Sequence, residues 1–143
     1  MNIRKARVDD LPAIVRIEKK SFDRDAWDRE LFLDYLAQSA RSVFLVATID
    51  GRVVGYALAF HSRMRAELHS IAVAPRARGR GVAVGLLRRI VRLLQARGFQ
   101  TVSLNVRSGN VAAIGLYRKL GFQRVRRVNG YYEDGAAAWR MRK

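Results

Sequence analysis

Between positions 66 and 97 the chain passes from a β-rich octet through a proline and a glycine-broken basic loop into a long amphipathic stretch, and this succession constrains the fold more than any other feature. Ala66 to Val73 reads as a strand that stops before Pro75, because proline has no N–H to give to a ladder. From about Arg80 to Arg97, Ala83, Leu86, Leu87, Ile90, Val91 and Leu94 recur at three- and four-residue spacing opposite Arg88, Arg89 and Arg92, which predicts a helix that Gly98 closes. In the link between them, Arg76-Ala77-Arg78-Gly79-Arg80-Gly81-Val82-Ala83, the glycines let backbone N–H groups turn toward an anion without a Cβ in the way. The helix start adds its positive dipole end, and a diphosphate is the natural guest. The spacing fits neither a P-loop, which needs Gly-Lys-Ser/Thr after a longer loop, nor a dinucleotide fingerprint.

The remaining chain supplies elements that complete a sheet. Asn2 to Arg7 reads as a first strand, and Asp9-Asp10-Leu11-Pro12 starts a helix through about Phe22 with Leu11, Ile14, Val15 and Ile17 on its apolar side. An acidic connection, Asp23 to Asp28, leads to a second amphipathic segment carrying Leu31, Phe32, Tyr35 and Leu36. Asp50-Gly51 between Val43–Thr48 and Arg52–Phe60 is a two-residue hairpin signal. Thr101 to Val106 is a further strand, Asn110 to Leu120 a helix closed by Gly121, and two last strands bracket a turn-rich stretch from Asn129 to Gly135. The order β-α-α-β-β-β-α-β-α-β-β predicts a mixed α/β sheet with helices on its faces, in one domain spanning 1–143.

Composition narrows the chemistry. The chain has no cysteine and only two histidines, His61 and His69, which removes acyl-cysteine intermediates and thiolate zinc sites and leaves no basis for a metal centre. No apolar run is long enough to span a membrane and no signal-peptide pattern is present, so a cytoplasmic protein without membrane association is expected. The formal net charge is +16, and it is unevenly placed: residues 1–60 hold ten Lys or Arg against nine Asp or Glu, and residues 61–143 hold eighteen against three. The basic part should attract a polyanion, whether a phosphorylated cofactor or nucleic acid.

Two motifs, about 30 residues apart, now bear on identity. Arg76, Gly79 and Gly81 fit Arg/Gln-x-x-Gly-x-Gly/Ala after a strand, and Asn110, Ala113, Tyr117, Gly121 and Phe122 fit Asn-x-x-Ala-x-x-x-Tyr-x-x-x-Gly-Phe. In both the chain resembles the GNAT superfamily of N-acetyltransferases, and the resemblance runs from Ile3-Arg4 through the final strand. It implies the GNAT fold, a mostly antiparallel sheet of about seven strands flanked by about four helices. It also implies acetyl-CoA as cosubstrate, held by Ile71, Ala72, Val73, Arg76, Arg78, Gly79, Arg80, Gly81, Val82, Ala83, Asn110 and Tyr117. Direct attack by an amine in a ternary complex is implied, with Tyr117 as the general acid at the departing sulfur.

For the base, Glu67 and His69 alternate with Ile71 on one face of the 66–73 strand, so a carboxylate and an imidazole are expected to point into the same cleft. Glu67 is one of three acidic residues after position 60, and pairing with a neighbour such as Arg65 is the structural alternative to a base. Within the superfamily the chain is most similar to RimI-like protein N-terminal acetyltransferases, through Asp25-Ala26-Trp27, Val106-Arg107-Ser108-Gly109-Asn110 and Gly130-Tyr131-Tyr132-Glu133-Asp134-Gly135. That resemblance implies a protein or peptide N-terminus as acceptor, held by Trp27, Asn105, Tyr131 and Tyr132. One departure stands out: RimI-like enzymes usually carry glutamate in Leu-Glu-Val-Arg, and this chain has Leu104-Asn105-Val106-Arg107, so either the base role passes to Glu67, His69 or water, or the substrate differs from that family's ribosomal-protein N-terminus.

Two other readings stay open. A small amine, such as a polyamine, amino acid or aminoglycoside, is the alternative acceptor, received by an acidic patch of Asp23, Asp25, Asp28 and Glu30. A basic module that binds RNA or the ribosome without catalysis is the other, suggested by twenty-three Arg against five Lys, although no nucleic-acid motif accompanies them. A monomer or a homodimer is compatible with all three.

Overall fold

The computed structural model describes residues 1–22 and 26–143. Strand β1 (Asn2–Lys5) leads through a short 3-10 turn, Val8–Asp10, into helix α1 (Leu11–Phe22). Asp10 fixes this junction: its carboxylate accepts the Arg7 N–H at 2.8 Å and both Arg4 nitrogens at 2.8 Å. The Arg4 hydrogen bonds hold its pKa below the usual carboxylate value. Helix α2 (Arg29–Ala37) is capped by Asp28, which accepts the Leu31 N–H at 3.0 Å. Asp50 and Gly51 join β2 (Ser42–Ile49) to β3 (Arg52–His61) with φ of 50° and 77°, the left-handed pair that a tight hairpin needs.

Strand β4 (Ala66–Val73) is followed by a second 3-10 turn (Pro75–Ala77), helix α3 (Val82–Ala96) and β5 (Val102–Arg107). Helix α4 (Val111–Lys119), β6 (Gln123–Val128) and β7 (Ala138–Arg142) complete the chain. The seven strands form one sheet in the order β1-β2-β3-β4-β5-β7-β6. Among the described residues all pairings are antiparallel except β4 with β5.

The sheet separates two cores. Leu86, Leu87, Ile90 and Leu94 of α3 are fully buried against Val43, Leu45, Ala57 and Ala59. Leu11, Ile14 and Phe32 from α1 and α2 are fully buried on the other face with Phe44, Val46 and Leu58. Central strands covered on both sides read as continuous apolar runs, which is why Val43 to Ala47 shows no alternation.

The expected element order and fold are observed, with shifted boundaries. The helix predicted from Arg80 begins at Val82, because Gly81 sits at φ 78° and cannot belong to a right-handed helix. The first strand stops at Lys5 rather than Arg7, whose N–H is turned toward Asp10. Among the described residues no helix is long and apolar enough to cross a membrane.

Candidate active site

The single parallel pairing opens the site. β4 and β5 share only the register pairs Ala66↔Val102 and Glu67↔Ser103, after which β5 continues against β7 and β4 against β3. Where the two strands part, a cleft of about 720 Å³ lies between Leu68–Val73 on one wall and Leu104–Arg107 on the other, a volume suited to a sizeable organic ligand.

One end of the cleft is made of backbone. Gly79 and Gly81 have φ of 77° and 78°, and a Cβ on either would meet no atom within 4 Å, so there is open room beside both. Helix α3 begins there, and the first N–H groups of a helix have no acceptor within it. Val82, Ala83 and Val84 line the cleft at that point. Arg78 closes the corner, donating from Nε to the Val73 carbonyl at 3.2 Å and from Nη2 to Ser21 Oγ at 3.5 Å. This end fits a diphosphate with a long organic arm.

Helix α4 supplies the floor. Asn110 caps it, accepting the Ala113 N–H at 3.1 Å, while also lining the cleft. Tyr117 is 7 % exposed, its ring edge-on to Phe122 at 5.9 Å between centroids. Burial pushes its phenol up to about 12, with a smaller contribution from Tyr132.

Side chains from distant stretches form the other end. Trp27 stacks on Tyr35, and both set their rings edge-on to His69. The Tyr35 hydroxyl lies 2.9 Å from His69 Nδ1, and burial lowers the imidazole pKa against the opposing pull of Glu67. Opposite, the Arg107 guanidinium lies 4.2 Å over the Tyr132 ring and donates to Asp134 at 3.0 Å. Asn105 donates to the Tyr131 hydroxyl at 3.2 Å and accepts from Arg140 at 3.3 Å.

Of the predicted site residues, Trp27, His69, Ile71, Ala72, Val73, Arg78, Gly79, Gly81, Val82, Ala83, Asn105, Asn110, Tyr117 and Tyr132 line the cleft, whereas Glu67, Arg76, Arg80 and Tyr131 do not. Glu67 and His69 do meet, at 3.8 Å, but only the imidazole faces the cleft. The alternation expected for this strand breaks at His69, where the β3–β4 register slips between Leu58 and Ala59: Glu67 and His69 keep one face, but Ile71, expected beside them, packs with Val73 in the α3-side core, while Ser70 and Ala72 turn to the α1 side. Glu67 binds Arg140 at 2.5 Å, across the sheet, and not Arg65. Of the acidic patch, Asp23 and Asp25 lie outside the described residues; Asp28 is an N-cap and Glu30 is held loosely by Arg29 at 3.7 Å.

The sequence reading missed Glu18. It is 1 % exposed, lines the cleft, and accepts from the Trp27 N–H at 2.9 Å, from Ser70 Oγ at 3.1 Å and from the Tyr56 hydroxyl. Burial raises its pKa to about 7. The signal was present: Leu11, Ile14 and Glu18 fall at helical spacing on the buried stripe of α1, where a carboxylate is out of place.

The sequence pattern of the acetyltransferase (GNAT) family matches residues 10–122. An acetyltransferase of Pectobacterium atrosepticum is 33% identical over 126 residues, covering 87% of this chain and 89% of its own. Among solved structures, Ard1 of Thermoplasma volcanium superposes with a TM-score of 0.91 at 30% identity over 99% of this chain and 95% of that one. The ribosomal-protein-S18-alanine N-acetyltransferase of Escherichia coli gives 0.88 at 31% identity over 99% and 91%.

Proposed function

Because the chain belongs to the GNAT family of acetyltransferases, we propose that it moves an acetyl group from acetyl-CoA to the N-terminal α-amine of a protein or peptide. The observation that carries this reading is the wall facing the diphosphate end, where Trp27, Asn105, Arg107 and Tyr132 present aromatic surface and backbone-binding polar groups along one cleft. The similarity to an enzyme named as a ribosomal-protein-S18-alanine N-acetyltransferase supports a protein acceptor.

Acetyl-CoA, when bound, supplies the activated acyl group. Arg78, Gly79, Gly81 and the first turn of α3 would hold its diphosphate, and Ile71 to Val73 its arm. Tyr117 keeps its proton throughout the neutral range and offers it to the leaving sulfur. With a phenol near 12 and a thiol of ordinary pKa near 8.5, full transfer is uphill by about 5 kcal/mol, so the hydroxyl acts chiefly as a hydrogen-bond donor. His69 is poorly placed as a base: a carboxylate near Nε2 favours a proton there, which commits the Nδ1 lone pair to Tyr35. Glu67 is engaged by Arg140.

The test is thiol release from acetyl-CoA with two panels, tetrapeptides bearing free N-termini and small amines including spermidine. Turnover on peptides, abolished by blocking their N-termini, is the expected result; turnover confined to small amines refutes the acceptor. The arginines exposed on the edge strand β6, Arg124, Arg126 and Arg127, support an additional contact with RNA near a ribosomal substrate. RNA binding that does not weaken as salt is raised would count against that contact.

A further inference from the structure

Glu18 is a buried carboxylate facing a substrate cleft, and among the described residues no cation lies within ion-pair distance of it. Its partners are all neutral donors drawn from separate elements: the Trp27 N–H after α1, the Tyr56 hydroxyl of β3 and the Ser70 hydroxyl of β4. Ser70 and Tyr56 also lie 2.8 Å apart, so the three groups form a closed triangle behind the cleft wall. The other ionisable groups around this wall are directed elsewhere: Arg78 toward Ser21 and the Val73 carbonyl, His69 toward Tyr35 and Glu67.

A carboxylate desolvated without a counter-charge is costly, and in a chain of net charge +16 with twenty-eight Lys and Arg the absence of a cation beside it among the described residues is a local exception. An acceptor for acetyl transfer arrives as an ammonium, carries the missing charge, and must lose a proton before it can attack. We propose that Glu18 is the proton acceptor for the incoming ammonium, reached through the hydroxyl of Ser70.

The proposal rests on the amine-acceptor reading above. The ammonium gives its proton to Ser70 Oγ as the Ser70 hydroxyl proton passes to Glu18 Oε1. The products are a neutral amine and a carboxylic acid, with the serine unchanged. Burial, which sets the Glu18 carboxyl near 7, matches it to such a transfer at neutral pH. Among the described residues lining the cleft Glu18 is the one carboxylate, and it lies on α1, while Asn105 of β5 has no ionisable side chain.

The experiment is the pH dependence of kcat/KM for wild type, Glu18→Gln, Glu18→Asp and Ser70→Ala, using whichever amine wild type turns over fastest, an alanyl tetrapeptide or spermidine. Wild type should show an acid limb near pH 7 that does not follow the acceptor. Glu18→Gln should lose about 100-fold at pH 7, and its limb should move to the acceptor's own pKa, about 8 for an α-amine and about 10 for an alkyl amine. Glu18→Asp should restore part of the rate and the original limb. A Glu18→Gln variant within threefold of wild type with an unshifted limb overturns the proposal. Should that variant lose its acetyl-CoA-dependent thermal shift through misfolding, Ser70→Ala decides: about a tenfold loss supports the relay, and an unchanged rate overturns it. Wild-type turnover of spermidine alone breaks the peptide reading and leaves this test standing; a protein inert toward every amine overturns both.

Discussion

The two ends of the cleft are built in different ways. The diphosphate end, Arg78 to Val84, is local: two left-handed glycines and a helix start, contiguous in sequence. The opposite end is assembled largely from contacts between residues far apart in sequence, including Asn105 with Tyr131, Tyr35 with His69, and Glu67 with Arg140, which are 26, 34 and 73 positions apart. The first end depends on backbone dihedral angles and the second on which side chains the topology brings together. Substitutions should therefore separate donor binding from acceptor binding, and each of the following outcomes sharpens or breaks that division.

The largest effect is expected in stability. Glu18 has a folded pKa of about 7 against 4.5 ordinarily, so the folded state binds its proton more tightly than the unfolded one. Its contribution is most favourable below pH 4.5 and is lost as pH rises through 7, by on the order of 3 kcal/mol. Urea unfolding of Glu18→Gln at several pH values should show that decline removed; an identical pH slope in both proteins would show that the carboxyl is not strained by burial. Next, Tyr117→Phe should lower kcat about 100-fold and leave the KM for acetyl-CoA within about twofold, as the role proposed for the hydroxyl at the leaving sulfur requires. Equal losses in binding and turnover would assign Tyr117 to donor binding instead.

Gly81→Val puts a branched side chain at φ 78°, where the strain is local to the diphosphate loop, so the KM for acetyl-CoA should rise about tenfold while the peptide KM stays within twofold. Arg140→Ala releases Glu67 and Asn105, and should raise the peptide KM about threefold with the acetyl-CoA KM unchanged, as expected for a partly exposed ion pair. If both substitutions moved both constants together, the two ends would not be separable.

Helix α3 and the loop before it were legible because their determinants lie within a few residues of one another: Leu86, Leu87, Ile90 and Leu94 set the buried face, and Gly79 and Gly81 set the turn. The place of Tyr117 on the cleft floor was legible through the resemblance that one contiguous motif on α4 carries, since helical spacing alone reads it as a core aromatic. The Glu67–His69 pairing was half legible. Alternation brought the two together, but a single-residue slip between β3 and β4 at His69 moved Ile71, expected beside them, to the opposite face, and no local pattern in Ala66 to Val73 encodes that slip. Helical spacing could flag Glu18 as buried, but its acceptance from Tyr56 and Ser70, 38 and 52 residues away, followed only once β3 and β4 were packed on α1.

The sequence by itself determined the order of elements, the buried helix faces and the glycine loop at one end of the cleft, since helical periodicity, hairpin turns and glycine dihedrals are short-range properties of the chain. The tertiary structure alone decided the fate of the carboxylates: Glu67 neutralised by Arg140, Glu18 left in the cleft wall without a cation among the described residues. A charged group's role depends on its neighbours in space and on how much water they exclude, and in this fold those neighbours come from strands and helices far apart in sequence.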